Sequence, residues 1–469
     1  MSFSNPGFTI PRRSVVGMEA HWIKMWDPPT ASPVTPELLT PTNPVPEVMA
    51  AAGHQLPPSV PHTVQRDLMH GVLLPAWDGA KQLAFFLFAD GDNPATVLGT
   101  YPAATLRVPR GVVFHGETSG KGPPPHTIHW HGIEPTPMND GVGHCSMEIG
   151  KYTYQWQPNF MGSYFYHCHR NTVQHFEFGL FGFLIIMAPD AYFSSIASTN
   201  PDGSVVLNNI PIGASSDGKF RTQANTSKYP AFPGFVPGDP VFGVAGPNGL
   251  GVGSPHAWTV PYDVEALWVF DDRDSIWSDL ASNARTTFPA AGSIPGVNDQ
   301  FNLNAGVNGF FAFNDYHADY WFVTGVPVRA HLGETGQIDA NVVVPPALNS
   351  GMTGMQVSVN ARVGQTILVR ALDAAYNSVE LQFPVDVLIT AWDGRSLGVP
   401  PFGLYSEPRF VPAGQAIEMS TARRFDALIR ATTPINSFAT AKFIDTRGQI
   451  PGQPQRVVMT AQVPFVITA

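Results

Sequence analysis

The chain has 469 residues, enough for two or three domains that each bury a substantial core. A net charge of −10, a pI near 5.8 and the lack of any Lys/Arg cluster argue against a nucleic-acid partner. No apolar run reaches the roughly 20 residues of a membrane-spanning helix. Only 13% of residues are charged, and 46 Pro and 44 Gly punctuate the chain, which favours an all-β protein with many turns.

Residues 1–60 are Pro-rich and irregular, and read as an extended arm or a disordered lead. Arg12 and Arg13 are adjacent, but no apolar stretch follows them, so the start does not read as a secretory signal. A first β domain is expected over 61–192. KQLAFFLFADGD reads as a strand and turn, ATVLGTYPAATLRVPRGVVFHGE as two further strands, and FGFLIIMAP as the closing strand. Residues 193–255 are loop-rich and read as a linker or a cover. A second β domain is expected over 256–469, through WTVPYDVEALWVFDDRD, FNDYHADYWFVTG, GQTILVRALDAAYNSVELQF, DVLITAWDG and RRFDALIRA.

Two short runs in the first domain, HTIHWHG and YFYHCHRNTVQHFEFGL, hold six of the fifteen histidines and one of the two cysteines. Alternate residues of a strand share a face. That rule puts His129 with His131, and His167 with His169, and turns Cys168 the other way. It also puts His126 on the opposite face from His129 if the strand stays regular. Two groups follow: Cys168 with His126 and His175, and the four imidazoles of His129, His131, His167 and His169. The first is the two-His, one-Cys set of a blue-copper site, and Leu180 falls where such a site carries its axial residue. Four imidazoles crowded without a metal would leave lone pairs stranded or force charge repulsion.

These motifs, with the intervening MNDG, resemble the copper-binding motifs of the multicopper oxidases (laccases, ceruloplasmin, two-domain oxidases), with copper nitrite reductase as a relative. The resemblance implies tandem cupredoxin-like Greek-key β-sandwich domains, the second without copper. TYPAATLRVPRG, the AWDG turn and FVPAG…RRFDALI extend it. It makes His126, Cys168 and His175 type 1 copper ligands and Leu180 a non-coordinating axial residue. It matches His129 to type 2 copper, His131, His167 and His169 to type 3, and Asp140 to a carboxylate that helps move protons to reduced oxygen. An ordinary Asn-Asp-Gly turn is the competing reading of Asp140. Five residues separate His169 from His175, where laccases usually have three. The relatives are mostly exported, which implies a secreted or periplasmic protein.

Other residues are read more plainly. Cys145 is a buried thiol, or pairs with Cys168 in a disulfide if copper is absent. His115 and His144 read as supporting or surface residues, and His317 and His331 as surface groups or as ligands reaching a neighbouring subunit's copper. Glu177 is a rim carboxylate facing a cationic donor or a solvated surface residue. Met147, Met161 and Trp130 read as core, as does Met187, which is also a fallback axial ligand.

The implied function is a copper-dependent oxidoreductase. It would oxidise a small molecule or metal ion one electron at a time and reduce dioxygen at a multi-copper site. A full trinuclear cluster takes eight histidines, and this chain has only two HxH-type pairs. Either an oligomer brings two such faces together, or the second site holds fewer coppers and is completed by a neighbour, as in nitrite reductase. The competing class is a blue-copper electron-transfer or copper-binding protein with an incomplete second site.

Overall fold

The computed structural model describes residues 62–90, 100–109, 114–120, 126–133, 135, 137–142, 151–156, 158, 162–169, 172–187, 197–199, 205–207, 264–279, 316–338, 357–365, 367–397, 408–447 and 451–469. The Pro-rich arm, most of the 193–255 segment, His144, Cys145, Met147 and Met161 lie outside these residues. The described chain is built almost wholly of β-strands, the all-β class expected.

Eight strands make the first unit: β1 (His62–Pro75), β2 (Gln82–Asp90), β3 (Ala103–Pro109), β4 (Phe114–Gly120), β5 (His129–His131), β6 (Lys151–Trp156), β7 (Gly162–His167) and β8 (Phe181–Met187). They form two four-stranded sheets, ordered β2-β1-β4-β6 and β3-β8-β7-β5. β1 runs parallel to β4, and β3 parallel to β8. Strands remote in sequence thus become neighbours, as in a Greek key.

Aromatic rings fill the space between the sheets. Phe114 of β4 stacks on Trp156 of β6 at 4.1 Å and meets Trp130 of β5 edge-on at 5.0 Å, and Trp130 in turn lies 5.8 Å from Tyr166 of β7. Gly116 is required here, because a Cβ would come 2.6 Å from the Trp130 ring. Trp130 is fully buried while His129 and His131 on either side of it are half-buried. The period of two thus drives the indole into the core and turns both imidazoles out of it.

β9 (Ala197–Thr199) and β10 (Val205–Leu207) pair antiparallel, so the segment read as loop-rich carries two short paired strands.

The second unit holds β11 (Val264–Arg273), β12 (Tyr320–Val323), β13 (Val326–Pro327), β14 (Thr335–Gln337), β15 (Val359–Arg362), β16 (Ile367–Asp373), β17 (Ser378–Gln382), β18 (Val387–Trp392), β19 (Arg395–Ser396), β20 (Arg409–Val411), β21 (Ala416–Met419), β22 (Arg424–Ile429), β23 (Ile435–Asp445) and β24 (Arg456–Thr468). One sheet runs β13-β12-β11-β16-β22-β18-β19 with β20 beside β18, and the other β14-β24-β23-β17-β21 with β15 beside β24. β16 is buried along its whole length, whereas most of β24 alternates buried and half-buried residues. A strand covered on both faces and one covered on a single face show these two patterns.

The units meet through apolar and charged contacts. Phe322 packs 5.4 Å from Tyr101 and 6.2 Å from Phe85, and the buried Arg273 guanidinium lies 4.7 and 4.8 Å from the rings of Phe85 and Tyr101. Arg107 of β3 pairs with Glu265 of β11, which accepts from Arg370 Nε at 2.8 Å. Arg370 reaches Asp426 at 3.2 Å, and Asp426 accepts from the Ser163 hydroxyl of β7. Burial alone would raise the Glu265 pKa, but Arg370 and Arg107 override it and hold the carboxyl below its ordinary value.

Candidate metal centre

β5 and β7 pair antiparallel, so that His129 faces His167 and His131 faces Phe165 across the ladder. Beyond His167 the strand ends, and Cys168 and His169 continue as coil. A six-residue helix, α1 (Thr172–Glu177), then delivers His175. His126 precedes β5 and is not part of it. His126 is therefore positioned by a non-repetitive lead-in and not by strand alternation. The five residues between His169 and His175 are taken up largely by the first turn of α1.

The sulfur of Cys168 lies 3.2 Å from Nδ1 of His175 and 3.6 Å from Nδ1 of His126. All three residues are buried, and the two rings stack at 4.3 Å. Cys168 is a thiol, so the disulfide alternative is not what the structure shows. The main chain of Leu180 braces the group: its carbonyl accepts from Cys168 N at 3.0 Å, and its N–H donates to the His175 carbonyl at 2.9 Å. Leu180 itself is fully buried and offers no coordinating side-chain atom.

On the other side of the ladder His129, His131 and His167 bring ring nitrogens within 4.8 Å of one another. His169 stands beside them, its ring 5.1 Å from that of His129 and 5.6 Å from that of His167, but outside that three-atom group. His131 Nδ1 is 3.3 Å from His167 Nε2. His129 Nδ1 lies 2.6 Å from the Asp140 carbonyl and 3.1 Å from its carboxylate. Gly141 permits this approach: its φ is +71°, and a Cβ there would come 1.8 Å from the Ile128 carbonyl. Asp140 thus sits in this turn with its carboxylate beside His129.

Burial lowers the pKa of His131 to about 3, helped by the nearby Arg424 cation and by His129 and His169. Burial likewise holds His167 well below its ordinary value, and His169 below it. Neutral imidazoles keep the lone pairs that a metal needs.

A cavity of about 660 Å³ opens in front of His129, His131 and Asp140. Its other wall comes from the second unit: Asp393 of the AWDG turn, Arg395 just after it, and Ser420 to Arg424 before and at the start of β22. Asp393 and Gly394 have φ of +50° and +78°, the signature of the two-residue turn that Asp-Gly favours between strands. Gly394 lies against Tyr164, whose hydroxyl donates to the Gly394 carbonyl at 2.9 Å. The AWDG and RRFDALI segments stood out in the sequence as parts of the second β domain and as resemblances. Nothing in their local pattern says that they face the histidines.

Residues 88–191 match the family model described as multicopper oxidase. This segment is similar to the multicopper oxidases. The match takes in both histidine runs and stops before the second unit. Solved structures similar to the chain include a blue copper oxidase from Nitrosomonas europaea (16% identity, 86% of this chain, 85% of that one, TM-score 0.44). A laccase from Botrytis aclada is similar at 13% identity over 89% of this chain and 55% of that one, with a TM-score of 0.46. No curated protein sequence matches the chain.

The residues present in this segment fit copper. First-row metal bonds of about 2.0 Å to nitrogen and 2.3 Å to sulfur place neighbouring donors roughly 3.5–3.8 Å apart. The sulfur–nitrogen separations at Cys168 lie close to that range. The imidazoles on the other face have the hydrogen-bonded backing usual for ligands: Nδ1 of His129 meets Asp140, and Nδ1 of His167 meets the Cys168 carbonyl at 2.9 Å.

Several other residues fall elsewhere. Glu177 is neither a rim carboxylate nor a solvated group. It is 1% exposed and accepts from the Asp274 N–H at 3.1 Å, because the second unit packs over the end of α1. His115 is buried on β4, and burial lowers its pKa. His317 and His331 are exposed and join neither histidine group among the described residues.

Proposed function

We propose that this chain is a copper-dependent oxidoreductase in which Cys168 joins two metal sites. Four donors are oxidised in turn, one electron each, at the site of Cys168, His126 and His175, and one dioxygen is reduced with four protons to two waters at the site of His129, His131 and His167 with His169. The reading rests on one observation. The Cys168 sulfur faces His126 and His175, while its carbonyl stands 2.9 Å from Nδ1 of His167 on the other face.

A thiolate-bound copper supplies one-electron transfer, and imidazole-bound copper supplies the chemistry of dioxygen. The protein does the rest. The peptide from Cys168 to His167 and His169, and the hydrogen bond back from His167, give electrons a short covalent and hydrogen-bonded route. Burial of Cys168, His126 and His175 excludes water from the sulfur. In this reading the carboxylate of Asp140, which lies beside His129 and lines the cavity, passes protons toward the second site. The division into a copper-binding domain over 61–192 and a copper-free one over 256–469, and export of the protein, belong to the same reading. No helix among the described residues is long and apolar enough to cross a membrane.

The number of metal ions at the second site divides two versions. A second copy of the chain opposite the His129–His131 face would double the imidazoles. In the other version the three ring nitrogens that converge among the described residues hold a single copper, completed by a neighbour as in a nitrite-reductase-like enzyme. Copper content, quaternary mass and oxygen uptake with ferrocyanide, measured on one preparation, test the proposal. Blue protein that consumes oxygen supports it, and more than two coppers per chain selects the oligomeric version. Blue protein without oxygen or nitrite turnover means a carrier. Colourless copper-loaded protein overturns the Cys168 site.

A further inference from the structure

We infer that the cavity between the two units binds a small organic carboxylate, presented to the His129–His131 wall by arginines of the second unit. This goes beyond the copper reading and does not depend on it.

The cavity joins two chemically different walls. One carries His129, His131 and Asp140, and the other Asp393, Arg395, Arg423 and Arg424. Three guanidinium groups therefore face two carboxylates among the described lining residues. The acids are engaged: Asp140 stands 3.1 Å from His129, while Asp393 is shared between Arg423 at 3.3 Å and Arg424 at 3.7 Å. One carboxylate divided between two arginines leaves positive charge facing the cavity. The imidazoles do not cancel it, and a metal cation bound to them would add to it.

The arginine wall is held in place. Arg424 is almost wholly buried, and its Nη1 donates to the Ala422 carbonyl at 2.6 Å. Its Nη2 sits 2.7 Å from where a Gly132 Cβ would be, so the glycine makes room for the guanidinium beside His131. Ala422 has a φ of +72°, costly for a residue with a side chain, and such strain persists where the surroundings enforce it. Arg395 Nη1 donates to the Tyr164 hydroxyl at 3.0 Å, and Arg423 lies over the Trp392 ring at 4.6 Å. Arginines fixed by packing lose little freedom on meeting a ligand, and their planar forks match a carboxylate.

The size selects among anions. About 660 Å³ is far more than a triatomic oxyanion fills and falls in the range of pockets for small organic molecules. A ring or short chain carrying one carboxylate satisfies both the charge and the space.

Calorimetric titration of the full-length chain, both metal-free and copper-loaded, with benzoate, its neutral isostere benzamide, and nitrite tests the inference. Benzoate is expected to bind the metal-free chain, benzamide at least about tenfold more weakly, and R423Q to weaken benzoate about tenfold, the scale of one charge-assisted hydrogen bond. Arg423 is 44% exposed, so R423Q should fold, and R423K should retain part of the affinity. Equal affinity for benzoate and benzamide, or no effect of R423Q, overturns the inference. Binding of nitrite alone overturns the organic class, and binding only in the copper-loaded chain assigns the anion to the metal instead. A preserved blue band in R423Q shows that the copper reading stands whatever the anion result.

Discussion

The sulfur of Cys168 and Nδ1 of His175 lie 3.2 Å apart although seven positions separate the residues. β7 ends at His167, and α1 folds back to bring His175 over the sulfur, with Leu180 bonded to the main chain of both. Removing the sulfur tests whether this closeness serves a metal. Cys168→Ser should abolish the intense visible absorption, lower bound copper by about one equivalent per chain and stop donor oxidation. Serine preserves the size of the side chain but lacks the soft thiolate that selects copper. Absorption spectra with metal analysis read the outcome, and an unchanged blue band would count against the assignment.

Asp140 meets His129 through both its carbonyl and its carboxylate. Asp140→Ala keeps the first contact and removes the second. Copper affinity or turnover at the second site should fall about 10–100-fold, the usual cost of losing a group that backs a ligand. The Cys168 site should keep its colour. Competition with a copper chelator, alongside oxygen uptake, separates lost binding from lost proton transfer.

The metal-free protein should weaken in acid. Burial lowers the His131 pKa to about 3, and His167 shifts the same way. An unfolded chain takes up these protons near pH 6.5, whereas the folded chain refuses them until far lower pH. This contribution to stability is present in full above about pH 6.5 and is lost as pH falls toward 3. His131→Gln should flatten that slope by an amount on the order of a few kcal/mol. Urea unfolding of the metal-free wild type and variant from pH 7 to pH 4 gives the comparison.

Gly394 closes the turn against Tyr164. A Cβ there would lie 2.3 Å from the Tyr164 ring, and the φ of +78° already disfavours any side chain. Gly394→Ala should cost about 1–3 kcal/mol, as overpacking of a tight contact does. Because this turn forms one wall of the cavity, the variant should also weaken benzoate binding. Thermal unfolding measures the first effect and titration the second.

Much of this protein was decided locally. The alternation HTIHWH is enough to bury Trp130 and turn His129 and His131 the other way, because side chains of a strand alternate whatever the rest of the chain does. The thiolate and imidazoles of the two runs carry their metal chemistry as residue types. The MNDG turn needs only its glycine to adopt a positive φ. What sequence could not decide is which surfaces face each other. Glu177, polar and near a motif, looked like a surface group, and the second unit buries it. Arg395, Arg423 and Arg424 lie more than two hundred positions beyond the histidines, and no periodicity links them. The packing of Gly394 on Tyr164, and the ion pairs from Arg107 through Glu265 and Arg370 to Asp426, help to bring that wall to the site. Strand parity is a property of a few consecutive residues, whereas a cavity between two units depends on every contact that docks them.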